Sequence, residues 1–456
     1  MQEKELSMKI VHPNAAGIDI GSKSHWVAVD QIPAHVLEFG VYTRDHHRLI
    51  DHLKFHRITT IAMESTGSYW QTLFYALQKA GFEVILVQGG QTKNVRGKKT
   101  DVLDCLWIQK LHALGLLSSS FLLSDYLQTL RTYYAHRDHL VAQTAMYISK
   151  MQKALRLMNI RLDIAIRDIA GKTGRAILEA ILQGRRDPDY LASLAHFRVK
   201  KTQPEIAAAL QGNWRDDLLF ELRSCLAFYD IYKKEIDACD QKIQALLQQY
   251  IPHPEPLVLK NEPPLKTIHK KLNKNSPAFN VRQLAFAHLK TDLFQIPGVS
   301  HSTILCFLCN MGNDIRRFAS AKQFASWLRL VPNNKLSGGR IISSRTPKGK
   351  NRLSIALRQA ANSIGNQVAH PLAPFFKRIA YRKGRNAAIT ATARKLAIIF
   401  WNMITKHQPY LQYDALTLSE QRKNAQVKNI KKRLFRLNLT EAEMISLFKK
   451  VSFPVT

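Results

Sequence analysis

Two short apolar runs near the start of the chain each carry a carboxylate, and that pairing constrains the fold more than any other feature. Asp19 lies in Gly17-Ile18-Asp19-Ile20-Gly21, ahead of Trp26-Val27-Ala28-Val29. Glu64 ends Ile61-Ala62-Met63-Glu64, just before Ser65-Thr66-Gly67. Such runs read as strands, and an acid at the end of a buried strand is expensive to desolvate unless a cation or hydrogen bonds compensate it. Asp101 and Asp104 follow in Lys99-Thr100-Asp101-Val102-Leu103-Asp104, on one helical face. Either Asp101 or Glu64 alone reads as an ordinary surface acid. The four together suit hard divalent cations such as Mg²⁺, which clamp the attacking and leaving oxygens of a phosphodiester.

The order of elements agrees. Strand-like runs cover 16–29, 36–43, 58–64 and 83–88, and helical patterns cover 45–56, 69–80 and 101–115. Gly81 ends the second helix and Thr100 caps the third. A βββαβαβα order predicts an α/β, RNase H-like (RuvC-like) sheet covered by helices. Asp101 and Asp104 then fall in the first turn of the last helix, whose positive end favours carboxylates.

Charge points to the partner. Lys and Arg outnumber Asp and Glu by 67 to 34, a net of +33. Residues 1–120 hold 13 basic and 11 acidic side chains, whereas 331–456 hold 24 and 4. A basic excess of this size is the footprint of a polyanion binder. The N-terminal part therefore reads as catalytic and the C-terminal part as strand-gripping. The first residues, Met1-Gln2-Glu3-Lys4-Glu5, carry no leader pattern, and the apolar stretch Leu396–Ile404 is too short to span a bilayer. Five cysteines without a framework fit a reducing cytoplasm; with the polyanion partner and no membrane partner, a nucleoid-associated protein is expected. Cys306 and Cys309 form a CxxC, but their apolar surroundings mark them as buried helix residues rather than a zinc half-site.

Beyond residue 120 the pattern turns helical. Leu127, Leu130, Tyr134, Val141, Ile148, Met151, Leu155 and Met158 form a gapped heptad seam. Leu218, Leu222, Cys225, Tyr229, Tyr232, Ile236, Cys239, Ile243 and Leu246 form a cleaner one. Two such coiled-coil helices can pair within one chain or across a dimer, and spacing does not choose between these. The segment 159–215 between them is basic and broken by turns. Residues 252–280 have the proline- and lysine-rich composition of a linker. The expected domains are 1–120 (catalytic), 121–250 (coiled coil with an inserted segment), 251–284 (linker), 285–410 (a mainly α C-terminal domain) and 411–456 (a basic tail).

Within the C-terminal domain, Ile296-Pro297-Gly298-Val299 followed by Ser302-Thr303-Ile304 reads either as a helix-hairpin-helix or as an ordinary helical connection. In the first reading Gly298 lets backbone N–H groups approach a phosphate. Ser337-Gly338-Gly339 reads as a serine on a flexible turn, with Lys335, Arg340, Arg345, Lys348, Lys350 and Arg352 close by. Such a serine can attack phosphorus if cations stabilise its alkoxide, although most Ser-Gly-Gly tripeptides are only turns. Candidate nucleic-acid contacts are Lys98, Lys99, Gly298, Arg340, Arg345, Lys348, Lys350, Arg352 and, in the tail, Lys431, Lys432 and Arg433.

These blocks, taken in order with Met63-Glu64-Ser65-Thr66-Gly67-Ser68-Tyr69-Trp70 and Phe324-Ala325-Ser326-Trp327-Leu328-Arg329-Leu330, resemble a DEDD-type transposase of the IS110 family of bacterial insertion sequences. The likeness runs from about residue 12 to about residue 410. It implies a RuvC-like domain whose acidic tetrad is Asp19, Glu64, Asp101 and Asp104, holding two Mg²⁺ ions. It further implies a coiled-coil region, Ser337 as the nucleophile of a C-terminal transposase domain, and donor and target DNA chosen by a structured bridge RNA. A composite site made by self-association, as dimer or tetramer, is expected. Two other readings stay open: a RuvC-like endonuclease that hydrolyses branched DNA with water, and a non-enzymatic RNA-binding scaffold.

Overall fold

The computed structural model describes residues 9–65, 67–92, 100–251, 274–349, 351–368, 370–407, 410, 427 and 430. The chain divides into two compact units, 1–122 and 123–456. Lys98, Lys99, Lys350, Lys431, Lys432 and Arg433, with most of the linker and tail, lie outside the described residues.

The first unit holds β1 (Ala15–Ile20), β2 (Ser24–Ala28), β3 (Leu37–Gly40), α1 (Thr43–Phe55), β4 (Thr60–Glu64), α2 (Trp70–Lys79), β5 (Glu83–Val87), the short α3 (Gly89–Thr92) and α4 (Asp101–Ala113). The sheet order is β3-β2-β1-β4-β5, with β1–β2 and β2–β3 antiparallel and β1–β4 and β4–β5 parallel. The pleat sends Ala16, Ile18, Ile61 and Met63 into a core with Leu49 and Leu53 of α1 and Leu73 and Leu77 of α2. The opposite face, with Gly17, Asp19, Ala28, Thr60 and Glu64, is the one that α4 packs against. This mixed α/β architecture is consistent with an RNase H-like transposase domain.

The second unit is mostly helical. Two long helices, α5 (Asp125–Leu157) and α10 (Asp216–Gln249), run antiparallel in the same chain: Tyr126 meets Tyr250, Leu140 meets Ile236 and Tyr147 meets Phe228. The two heptad seams therefore face each other within one chain. Their membership differs from the sequence expectation in both helices. In α10 the seam ends on buried Leu247 while Leu246 is only half-buried, because an α-helix drifts by about 20° per heptad against a strict seven-residue repeat. In α5 the buried line runs through Arg137, Leu140 and Thr144, filling the gap left by an apolar-only pattern. Arg137 is tolerated there because Asp240 answers it, with Nε–Oδ1 at 2.5 Å and Nη2–Oδ2 at 3.0 Å.

Between the long helices, α6 (Leu162–Ala165), α7 (Lys172–Leu182), α8 (Pro188–Ser193) and α9 (Gln203–Leu210) form a head. Its core joins Ile177, Leu191 and Leu210 to Leu155 of α5 and Leu222 of α10. The remaining elements are α11 (Val281–Leu289), α12 (His301–Asn310), α13 (Ala321–Trp327), β6 (Lys335–Ser337), β7 (Arg340–Ser343), α14 (Arg352–Gly365), α15 (Ala373–Lys383) and α16 (Arg385–Lys406). Cys306 and Cys309 are buried in α12, and Leu396 and Ile404 in α16. Among the described residues no helix is long and apolar enough to cross a membrane.

Candidate active site

Gly17 sets the position of α4. A Cβ built there would stand 2.3 Å from the Gln109 backbone nitrogen and 2.5 Å from the Cys105 carbonyl, so only glycine lets the helix lie directly on β1. The Gln109 side chain locks the contact by donating from Nε2 to the Ala15 carbonyl at 3.0 Å. His112 and Thr60 add a second tie, Nε2 to Oγ1 at 2.9 Å, between α4 and β4. Asp19 lies two residues beyond Gly17 and so on the same face, toward the start of α4. There Thr100 caps the helix, its hydroxyl accepting from the Leu103 N–H at 3.3 Å. Asp101 and Asp104 occupy the first turn, Asp101 exposed and Asp104 half-buried.

The buried Cys105 follows Asp104 in α4. Its buried thiol is pushed up to about 12, first by burial and further by the carboxylates of Asp19 and Asp104. Two acids of the tetrad therefore bear on one thiol. Glu64 joins the same face from β4, since Ile18 pairs with Met63 and each acid is the next residue along its parallel strand. Its Oε2 accepts from Thr92 Oγ1 at 2.8 Å, and the Thr92 carbonyl accepts from Trp107 Nε1 of α4 at 3.1 Å. Glu64 is thus tied through Thr92 to the helix that carries Asp101 and Asp104. Apart from Gly17 and Asp19, which share one motif, nothing in the sequence marked Thr92, Trp107 or Gln109 as supports.

The donor set is all carboxylate oxygen, the chemistry that hard divalent cations require. Among the described residues, however, no three His, Cys, Asp or Glu side chains are gathered closely enough to hold a metal ion. The backbone brings Asp19, Glu64 and Asp104 to one end of one face; the carboxylates as placed do not converge.

In the second unit, Ser337 ends β6 and is not on a flexible turn. Lys335–Ser337 and Arg340–Ser343 form a hairpin in which Ser337 pairs with Arg340. The two residues between them, Gly338 and Gly339, have φ of +52° and +73°, the positive pair that a two-residue type I′ connection needs. Directly opposed residues share a face of the ribbon, so Arg340 is the near neighbour of the Ser337 hydroxyl. Leu336, Ile341 and Ile342 stand exposed on the same ribbon. At its root the Asn333 N–H donates to the Arg345 carbonyl at 3.0 Å, and Arg329 donates to the Lys348 carbonyl.

The other candidates scatter. Arg340, Arg345 and Lys348 are exposed, and Arg352 begins α14 behind the N-cap Asn351. Arg131 of α5 is held below its ordinary value by burial and by repulsion from Arg352. Gly298 has φ of +75°, and a Cβ there would meet Ile364 of α14 at 2.5 Å, which gives this glycine a packing reason of its own.

A carboxylate-bearing α/β unit followed by a mostly helical unit is consistent with the DEDD-type transposase class. Residues 16–160 match a family model described as a transposase, and residues 290–373 match one described as the transposase IS116/IS110/IS902 family. The chain belongs to the IS110 family of insertion-sequence transposases. It is 29% identical over 119 residues to the transposase for insertion sequence element IS1111A of Coxiella burnetii (strain RSA 493 / Nine Mile phase I). That alignment covers 25% of this chain and 32% of the relative, about a third of its length.

Proposed function

We propose that the protein excises and inserts its element by cutting DNA with an acidic tetrad and a serine nucleophile. The observation that carries this reading is that Asp19, Glu64 and Asp104 share one end of the face covered by α4, fixed by Gly17 and by the Glu64–Thr92–Trp107 relay. Two Mg²⁺ ions held by Asp19, Glu64, Asp101 and Asp104 would neutralise the scissile phosphate and polarise its oxygens. Ser337 Oγ forms a bond to phosphorus as the scissile P–O bond breaks. The serine gives up its proton, and the departing sugar oxygen takes one. The phosphoserine link keeps the bond energy for rejoining, so strands exchange without ATP. Arg340, beside Ser337, supplies positive charge for the phosphate oxygens.

The partners on this reading are donor and target DNA, a structured bridge RNA, and a second copy of the chain. Base pairing with the RNA would select the sites, as in other guided systems, while Arg345, Lys348 and Arg352 hold backbone without reading sequence. Lys98, Lys99, Lys350, Lys431, Lys432 and Arg433 would add phosphate contacts.

Denaturing gels of end-labelled DNA test the reading. Wild type should leave a protein-linked band, Ser337→Ala should bind DNA and leave none, and Asp19→Asn or Asp104→Asn should neither nick nor link. Nicked DNA without a linked band in wild type would assign the chain to hydrolysis by water and leave Ser337 without a role. Neither nick nor band, with RNA still bound, would leave the scaffold reading.

A further inference from the structure

We propose that a cavity at the root of the β6–β7 hairpin seats unpaired nucleotides of a nucleic-acid strand, beside the ribbon that carries Ser337. The proposal rests on the function above and names a subsite for it. The cavity, of about 970 Å³, opens between the hairpin root (Leu330, Pro332 and Ser344–Thr346) and the α15–α16 pair. Five cations line it: Arg345, Arg382, Lys383, Arg394 and Lys395. None of the described lining residues is acidic. The charge is not balanced from nearby sequence either, because no Asp or Glu occurs between Asp314 and Asp414.

Several further observations point to a phosphate-bearing ligand with an apolar part. Arg394 lines the cavity, and its buried Nε has no hydrogen-bond partner among the described residues, so the protein leaves its guanidinium incompletely satisfied. The walls are apolar, built from Leu330, Pro332, Phe375, Ile379 and Ile398, with Lys395 Nζ 4.6 Å from the centre of the Phe375 ring. A duplex offers a protein its phosphates and groove edges, and its stacked bases cannot enter a pocket. Single strands offer both phosphates and bare base faces, and sites for them join a basic groove to apolar and aromatic side chains. The apolar walls therefore favour unpaired nucleotides over a duplex. Ser337 lies five residues along the ribbon from Pro332, at most roughly 15–17 Å of extended chain, so a strand held at the root passes close to the serine.

The test is binding by the full-length protein, in EDTA so that no cleavage intervenes. Fluorescence anisotropy would compare a short oligo-dT, an oligo-rU of equal length, and a blunt DNA duplex. For R382Q/R394Q we expect single-strand affinity to fall by tenfold or more at moderate salt, with duplex affinity changing by less than about threefold. The dependence of log affinity on log salt for the single strand should flatten by roughly 0.7 for each phosphate that the variant no longer neutralises. A391W fills the cavity from α16 without changing charge and should lower single-strand binding in the same selective way; circular dichroism checks that each variant is folded. A greater loss for rU than for dT would identify the occupant as RNA, the reverse as DNA. Unchanged single-strand affinity in both variants, or equal losses for single strand and duplex, would overturn the proposal. Because no chemistry is read, a failed adduct assay with Ser337→Ala would leave this result standing, and the converse also holds.

Discussion

Asp240→Ala should damage the second unit far more than its single missing side chain suggests. Arg137 is 6% exposed and Asp240 3%, so the pair is out of water. The mutation deletes two charge-assisted bonds, at 2.5 and 3.0 Å, and leaves the guanidinium buried with the Asn275 carbonyl, 3.0 Å from Nη2, as its remaining acceptor among the described residues. Removing one partner of a buried pair costs about 3–5 kcal/mol, two to nearly four decades in the folding equilibrium. With a urea slope of about 3 kcal/mol/M, the midpoint should fall by roughly 1–2 M. Urea unfolding followed by far-UV circular dichroism reads this, since α5 and α10 are the two longest of the described helices. The double variant R137M/D240L removes both charges and keeps the volume, so it should return to within about 1 kcal/mol of wild type or exceed it. A midpoint shift below about 0.3 M for Asp240→Ala would refute the account of a desolvated pair. So would a double variant as weak as the single one.

Three further outcomes are expected. Gly17→Ala forces a Cβ against backbone atoms of α4 that cannot rotate away, so it should cost at least ~1–3 kcal/mol in thermal melts and abolish DNA nicking; a full-strength melt would show that α4 does not lie as close as described. His112, lowered to about 4 mainly by burial and further by His12, is buried in its neutral form, so the first unit should keep this contribution above about pH 6.5 and lose it progressively toward pH 4. Histidine NMR titration checks it, and a midpoint near 6.5 for this ring would remove the effect. Thr92→Val unties Glu64 from α4 and should weaken Mg²⁺ binding by about tenfold in calorimetry, as removal of a ligand's outer partner commonly does; unchanged affinity would show that Glu64 needs no such orientation.

Much of the first unit was legible because its apolar runs and helical patterns differ and the four acids lie near the ends of elements. The strand-like runs marked the strand regions, although the run 16–29 divides into β1 and β2 around Gly21, and Gly81 and Thr100 marked ends that the structure shares. The long helices were legible as apolar seams, but not Arg137: a charge at a seam position looks like a gap until its partner is known, and Asp240 is 103 residues away. Ser337 was read as part of a turn because glycines follow it. In the hairpin those glycines supply the turn by themselves, and the serine is left on the strand end opposite Arg340.

The residue types of the candidate site can be read from the sequence and their arrangement cannot, and the reason is physical. A carboxylate is named by its own segment, whereas its aim is set by groups elsewhere in the chain. Glu64 points where Thr92 draws it, and Thr92 is held in turn by an indole on α4. Asp19 faces the start of α4 only because Gly17, two residues earlier, has no side chain to keep the helix away. The glycine in Gly17-Ile18-Asp19 therefore has as much to do with the acid's position as the acid's own strand does. A sequence pattern that counts only the four carboxylates misses what brings three of them to one end of the sheet. The same dependence makes the second unit's cations informative. With no acid between Asp314 and Asp414, Arg345, Arg382 and Arg394 have no carboxylate nearby in sequence to set their direction, so a polyanion is the natural group to order them.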